Sequence, residues 1–121
     1  QLYDGTLRIL DSIARHTPIE VVSVPGISSV QVLAARHRLI LNRVGSPFLV
    51  TTGRRLAAGG MPADVDDVVV MLDARNAFAD LPDRDLDIYW GAYLGTPDEL
   101  LVHGDLHAVR DEIVALFAEH R

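Results

Sequence analysis

Residues 68–72 read Val-Val-Val-Met-Leu, an unbroken apolar run with Asp64, Asp66 and Asp67 before it and Asp73 after it. A short run rich in β-branched side chains, without alternation, is the pattern of a strand covered on both faces. Upstream, Phe48–Thr52 reads as a second strand, with Thr51-Thr52-Gly53-Arg54-Arg55 as the turn beyond it. Leu56 to Ala58 then predicts a short helix ended by Gly59-Gly60. Downstream, Leu86–Leu94 is a strand with Tyr89 and Tyr93 on one face and Trp90 on the other. The turn Gly95-Thr96-Pro97-Asp98 returns the chain to a strand at Leu100–His103. Thr96 and Glu99 also fit a capping box, but Gly104 comes too soon for a helix, so the strand is preferred.

The two ends of the chain read as helical. Asp105 caps a last helix whose stripe Leu106, Val109, Ile113, Leu116 and Phe117 keeps helical spacing. Near the start, Leu7, Leu10, Ile13 and Ala14 share one side of a helix over Asp4–His16, and Thr17-Pro18 stops it. Ile19–Val24 then predicts a strand ended by Pro25-Gly26. Ser28 and Gln31 form a capping box for a helix running to about His37. The order predicts an α/β class, a mixed β-sheet flanked by helices.

The chain has 121 residues, 49% of them hydrophobic, enough for one domain. It contains no cysteine, which excludes disulfides, thiolate catalysis and Cys-ligated zinc and suits a reducing, cytoplasmic setting. A net charge of −6 disfavours nucleic acid and anionic membrane surfaces as partners. No apolar run approaches the roughly 20 residues of a membrane span. The start at Gln1, already close to the first helix, suggests a fragment or a processed product.

Chemistry alone nominates few sites. The Val24–Ser29 turn sets free amides of a helix start after a strand, an arrangement that suits anions but also describes an ordinary connection. Gly26-Ile27-Ser28 approaches a nucleophile elbow, yet Val30 stands where the second glycine belongs, so Ser28 reads as a cap. His103 and His107 have metal-ligand spacing, but a strand-to-helix junction between them argues against a metal site. Asp64, Asp66 and Asp67 read as a solvated loop, and Asp73 shows no partner. His16, His37 and His120 sit near helix ends, where a surface role is the default. Arg54 and Arg55 could bind a polycarboxylate through bidentate bonds, although a solvated turn is the simpler reading.

Read in order, these segments resemble the tetrapyrrole methylases. Residues 2–10, Leu-Tyr-Asp-Gly-Thr-Leu-Arg-Ile-Leu, are similar to the segment just after that family's Gly-Asp-Pro motif, and Val24–Ser29 to its Val-Pro-Gly-Ile-Ser-Ser turn. Residues 33–37, 41–45, 51–56, 69–73 and 87–99 resemble the branch that makes precorrin-6A. Thr-Thr-Gly-Arg-Arg at 51–55 and Tyr-Trp-Gly-Ala-Tyr-Leu-Gly-Thr-Pro at 89–97 are the most specific of them.

The resemblance implies an S-adenosylmethionine-dependent C-methyltransferase of cobalamin biosynthesis. It would convert precorrin-5 to precorrin-6A with release of acetate, leaving S-adenosylhomocysteine, and would act as a homodimer. By motif, cofactor contacts fall on Leu2, Tyr3, Ser28, Ser29, Met71 and Leu94, and substrate carboxylates on Arg54 and Arg55. No catalytic group is nominated. Residues 1–24 would be the end of an N-terminal methylase domain and 25–121 the C-terminal domain, so the segment alone is expected to be inactive. An inert dimerising module and a methylase for another ring position stay open as alternatives.

Overall fold

The computed structural model describes residues 4–82 and 85–120. The chain runs through α1 (Asp4–His16), α2 (Ser29–His37), β1 (Phe48–Thr52), α3 (Gly53–Gly59) and β2 (Asp67–Met71). A 3-10 turn at Ala77–Asp80, β3 (Asp87–Ala92), β4 (Leu100–Asp105) and α4 (Leu106–Glu119) complete it. The α/β class is as the residues predict. The strands form two two-stranded sheets. β1 and β2 are parallel, with Thr52 opposite Met71, and β3 and β4 are antiparallel, with Trp90 opposite Val102. Parallel strands need a crossover, and α3 with the loop after it supplies one.

Local chemistry sets the element ends. Ser28 accepts the Gln31 amide at 3.4 Å while its own amide donates to the Gln31 side chain at 2.8 Å, so the expected capping box starts α2. Asp105 accepts the amides of His107 and Ala108 at 3.0 and 3.1 Å and starts α4. Thr52 caps α3 through the Arg55 amide. Arg54 and Arg55 therefore stand in the first turn of a helix, and the expected turn at 53–55 is corrected: the cap lets the helix begin directly after the strand.

Three further expectations change. The Ile19–Val24 strand is absent, and Val21, Val22 and Val24 are 50%, 73% and 83% exposed. A β-branched run becomes a strand only beside a partner edge, and the described strands pair only with one another here. β2 ends at Met71 because Leu72 has φ 56, and β3 ends at Ala92 because Tyr93 has φ 53. β2 is half-buried along its length rather than covered on both faces, since a two-stranded sheet leaves it an edge.

The core gathers Leu56 of α3, Ala77, Phe78 and Leu81 around the 3-10 turn, Val102 of β4, and Leu106 and Ile113 of α4. Val70 of β2 and Ile88 and Trp90 of β3 pack against it, so both sheets share one core. Val109 and Leu116 of the predicted α4 stripe pack against the core beside Leu106 and Ile113, and Phe117 is half-buried outside that cluster. The stripe of α1 behaves differently: Leu7 and Ile13 remain 44% and 43% exposed. No helix among the described residues is long and apolar enough to cross a membrane.

Candidate functional site

The first group of predicted residues meets at the carboxyl end of the parallel pair. Met71 lies opposite Thr52 in the last ladder position. Immediately beyond, Gly53 and Asp73 approach so closely that a β-carbon built on Gly53 would lie 2.8 Å from the Asp73 Cα. Asp73 in turn accepts the Ala77 amide at 2.8 Å, which gives it the partner its sequence position did not reveal. Arg54 and Arg55 come directly after Gly53 and are exposed, and neither pairs with a carboxylate among the described residues. They line an open pocket of about 640 Å³ with Thr52, Ala58 and Leu72. Leu72 enters it from a left-handed backbone and is 86% exposed. A large apolar side chain held that way is the kind of local strain that structures retain at binding sites.

At the carboxyl end of β3 the structure sets Leu94 against Gly91, with α2 beside it. The His37 imidazole donates to the Trp90 carbonyl at 2.9 Å. One turn earlier, Leu33 lies against Gly91, as does Leu94. α2 thus packs along β3, and it is Arg36 in its last turn that reaches the turn holding Leu94, through Glu99. Ser28 is occupied by its capping box, whereas Ser29 is exposed. Leu2 and Tyr3 lie outside the described residues.

The Leu94 turn is heavily bonded. Thr96 and Glu99 donate their amides to the carbonyls of Tyr93 and Thr96, closing two successive reverse turns. Gly95 at φ 78 occupies the position where a type II turn requires a positive value. Glu99 accepts the Gly95 amide at 2.9 Å and receives the Arg36 guanidinium at 3.0 and 3.1 Å. The Gly95 amide first, and Arg36 next, hold the Glu99 carboxyl below the usual carboxylate range. A depressed folded pKa stabilises above the unfolded value and is lost as pH falls through the folded one. The clamp therefore persists through mild acid, and Gly95 amide shifts followed by NMR should titrate with a midpoint below the ordinary 4.5.

Sequence reasoning missed Arg36 and Glu99 as a pair. The Thr96–Glu99 capping pattern was the available signal, and the carboxylate in fact reaches the Gly95 amide. His103 stands in β4 and stacks on Tyr89 at 4.0 Å, with His37 edge-on to Tyr89 at 5.3 Å, while His107 is in α4. The two histidines consequently do not share a helix face.

Comparison with known proteins completes the picture. The family model of tetrapyrrole (corrin/porphyrin) methylases matches residues 1–110. A precorrin-6A synthase (deacetylating) from Sinorhizobium sp is 43% identical over 99% of this chain and 46% of its own length. A solved structure described as a putative cobalamin synthesis related protein (CobF) from Corynebacterium diphtheriae superposes with a TM-score of 0.83. It is 36% identical, and the match covers 95% of this chain and 49% of that one. The chain spans about half the length of the relatives it matches.

Proposed function

The chain belongs to the tetrapyrrole (corrin/porphyrin) methylases, and from that premise we propose that it is the C-terminal half of an enzyme that methylates precorrin-5 to precorrin-6A and releases acetate. The observation that carries this reading is the identity, along nearly the whole chain, to a precorrin-6A synthase (deacetylating). Residues 1–24 belong with a preceding domain in this reading, which is supported by the exposed apolar side chains of α1 and of residues 19–24. Residues 25–121 are the C-terminal domain.

S-adenosylmethionine, when bound, would supply a methyl group already activated by its sulfonium, so the methyl transfer itself needs no acid–base pair. Release of acetate is a separate step that takes up one water and breaks the bond between the ring carbon and the acetyl carbonyl. The chain's residues bind and orient. In this reading the exposed Ser29 hydroxyl and the amides at the α2 start take the polar parts of the cofactor, and the half-buried Leu94 and Met71 its apolar ones, each assigned by motif. Leu2 and Tyr3 join them by motif alone. Arg54 and Arg55 hold carboxylates of the corrin precursor, which fixes the ring carbon in line with the donor. Positioning of this kind supplies much of the rate in a displacement.

The test restores the missing half, by co-expression or fusion, and titrates S-adenosylhomocysteine calorimetrically. The restored protein binds it and produces methylated precorrin, whereas the 121 residues alone do neither. Lack of binding by the restored protein would sink the reading. Exposed charged bonds contribute less than the roughly 1.5–3 kcal/mol of shielded ones. Arg54→Ala with Arg55→Ala should accordingly raise the precorrin KM about tenfold, about 1.4 kcal/mol, and leave S-adenosylhomocysteine affinity unchanged. An unaltered KM removes the two arginines from the substrate site.

A further inference from the structure

The turn that carries Leu94 is tied to two helices by side chains that the proposed chemistry does not use. On one side, the Arg36 guanidinium of α2 holds both oxygens of Glu99, and the same carboxylate accepts the Gly95 amide. On the other side, the Tyr93 hydroxyl donates to the His120 carbonyl at the end of α4. Between these ties the backbone passes through two left-handed residues, Tyr93 at φ 53 and Gly95 at φ 78. For Tyr93 that conformation is unfavourable and persists only when its surroundings impose it. The Glu99 side chain is 20% exposed and that of Arg36 49%, so the pair stands at the surface and its effect rests on the geometry it imposes on the Gly95 amide.

We propose that Arg36 and Glu99 are positioning residues that hold the Leu94–Gly95 backbone in the conformation that receives the methyl donor. The inference rests on the reading of Leu94 as a cofactor contact, and it adds the pair that sets that contact. Arg36 acts only through Glu99, and Glu99 acts through the Gly95 amide. Loss of Glu99 should therefore do more than loss of Arg36, and loss of both should do no more than loss of Glu99. A charge-assisted bond to the backbone amide also means that glutamine, which keeps an acceptor oxygen, replaces glutamate in part.

The experiment uses the protein restored with its N-terminal half and S-adenosylhomocysteine as the calorimetric probe. Glu99→Ala should weaken binding about tenfold, Glu99→Gln and Arg36→Met about threefold each, and the Arg36→Met, Glu99→Ala double variant no more than Glu99→Ala. The S-adenosylmethionine KM should rise in proportion, with kcat at saturation and the precorrin KM within twofold of the parent. Parent-like affinity in Glu99→Ala overturns the proposal, as does a parallel loss of cofactor affinity, precorrin affinity and unfolding midpoint, which marks a purely structural pair. A parent that binds no S-adenosylhomocysteine overturns the functional reading and this inference with it. A parent that binds while every variant binds equally overturns this inference alone.

Discussion

Gly53→Ala should lower the unfolding free energy of the chain by about 3 kcal/mol, because the added methyl group has nowhere to go. A β-carbon at this position would fall 2.2 Å from the Asp73 Oδ1 and 2.8 Å from the Asp73 Cα. The carboxylate could rotate away, but only by giving up the Ala77 amide that it holds at 2.8 Å, a hydrogen bond worth about 1 kcal/mol. The Cα cannot rotate at all. Relief thus requires that the start of α3 and the segment after β2 move apart, and Leu56, 3% exposed in the core, moves with α3. Urea unfolding of Gly53→Ala, Asp73→Ala and the double variant separates the two contributions. Asp73→Ala removes the oxygen clash and leaves the backbone one, so the glycine substitution should cost less in that background and still cost something. A Gly53→Ala unfolding free energy within about 0.5 kcal/mol of the parent would show that the strand ends are not this close. Arg54 and Arg55 stand directly after the glycine, so the same substitution should also weaken precorrin binding in the restored protein.

This close approach marks where the sequence is legible and where it is not. Ser28 with Gln31, and Asp105 ahead of a helical stripe, are local arrangements whose partners lie within a few residues, and both appear as read. Phe48–Thr52 also appears as read, since the parallel pairing is made through a short crossover. Ile19–Val24 misleads because β-branched residues record a preference for extended backbone and nothing about whether an edge is available. The core around Phe78 escapes a sequence reading because a single 3-10 turn is too short to show a period. At the site, family likeness nominates Met71, Arg54 and Arg55, and the strand–helix–strand geometry explains how Met71 and the two arginines reach one sheet end. The Arg36–Glu99 contact joins α2 to the turn after β3, a pairing that only tertiary structure specifies.

Ile113→Ala is the other substitution with a large expected effect, about 3 kcal/mol of stability. Ile113 is fully buried, at 0% exposure, and sits two helical turns from Leu106, which is 3% exposed. Together they are the face of α4 that meets the 3-10 turn, β3 and β4, and Ile113 belongs to the cluster that joins the two sheets. Truncation removes three carbons from a site walled by several elements, which cannot all collapse into the space, and the residual cavity adds to the lost transfer energy. Ile113→Val should cost about 1 kcal/mol, which scales the effect to volume rather than to helix propensity. Ile9→Ala supplies the contrast: Ile9 is 62% exposed on α1, and its loss should change the isolated chain by less than about 0.5 kcal/mol. The two isoleucines have the same chemistry, so a difference of several-fold between them can come only from burial. In the protein restored with its N-terminal half, the Ile9→Ala cost should rise if α1 gains a cover there. An unchanged cost would place α1 outside the interface between the halves and remove the main support for assigning residues 1–24 to the preceding domain.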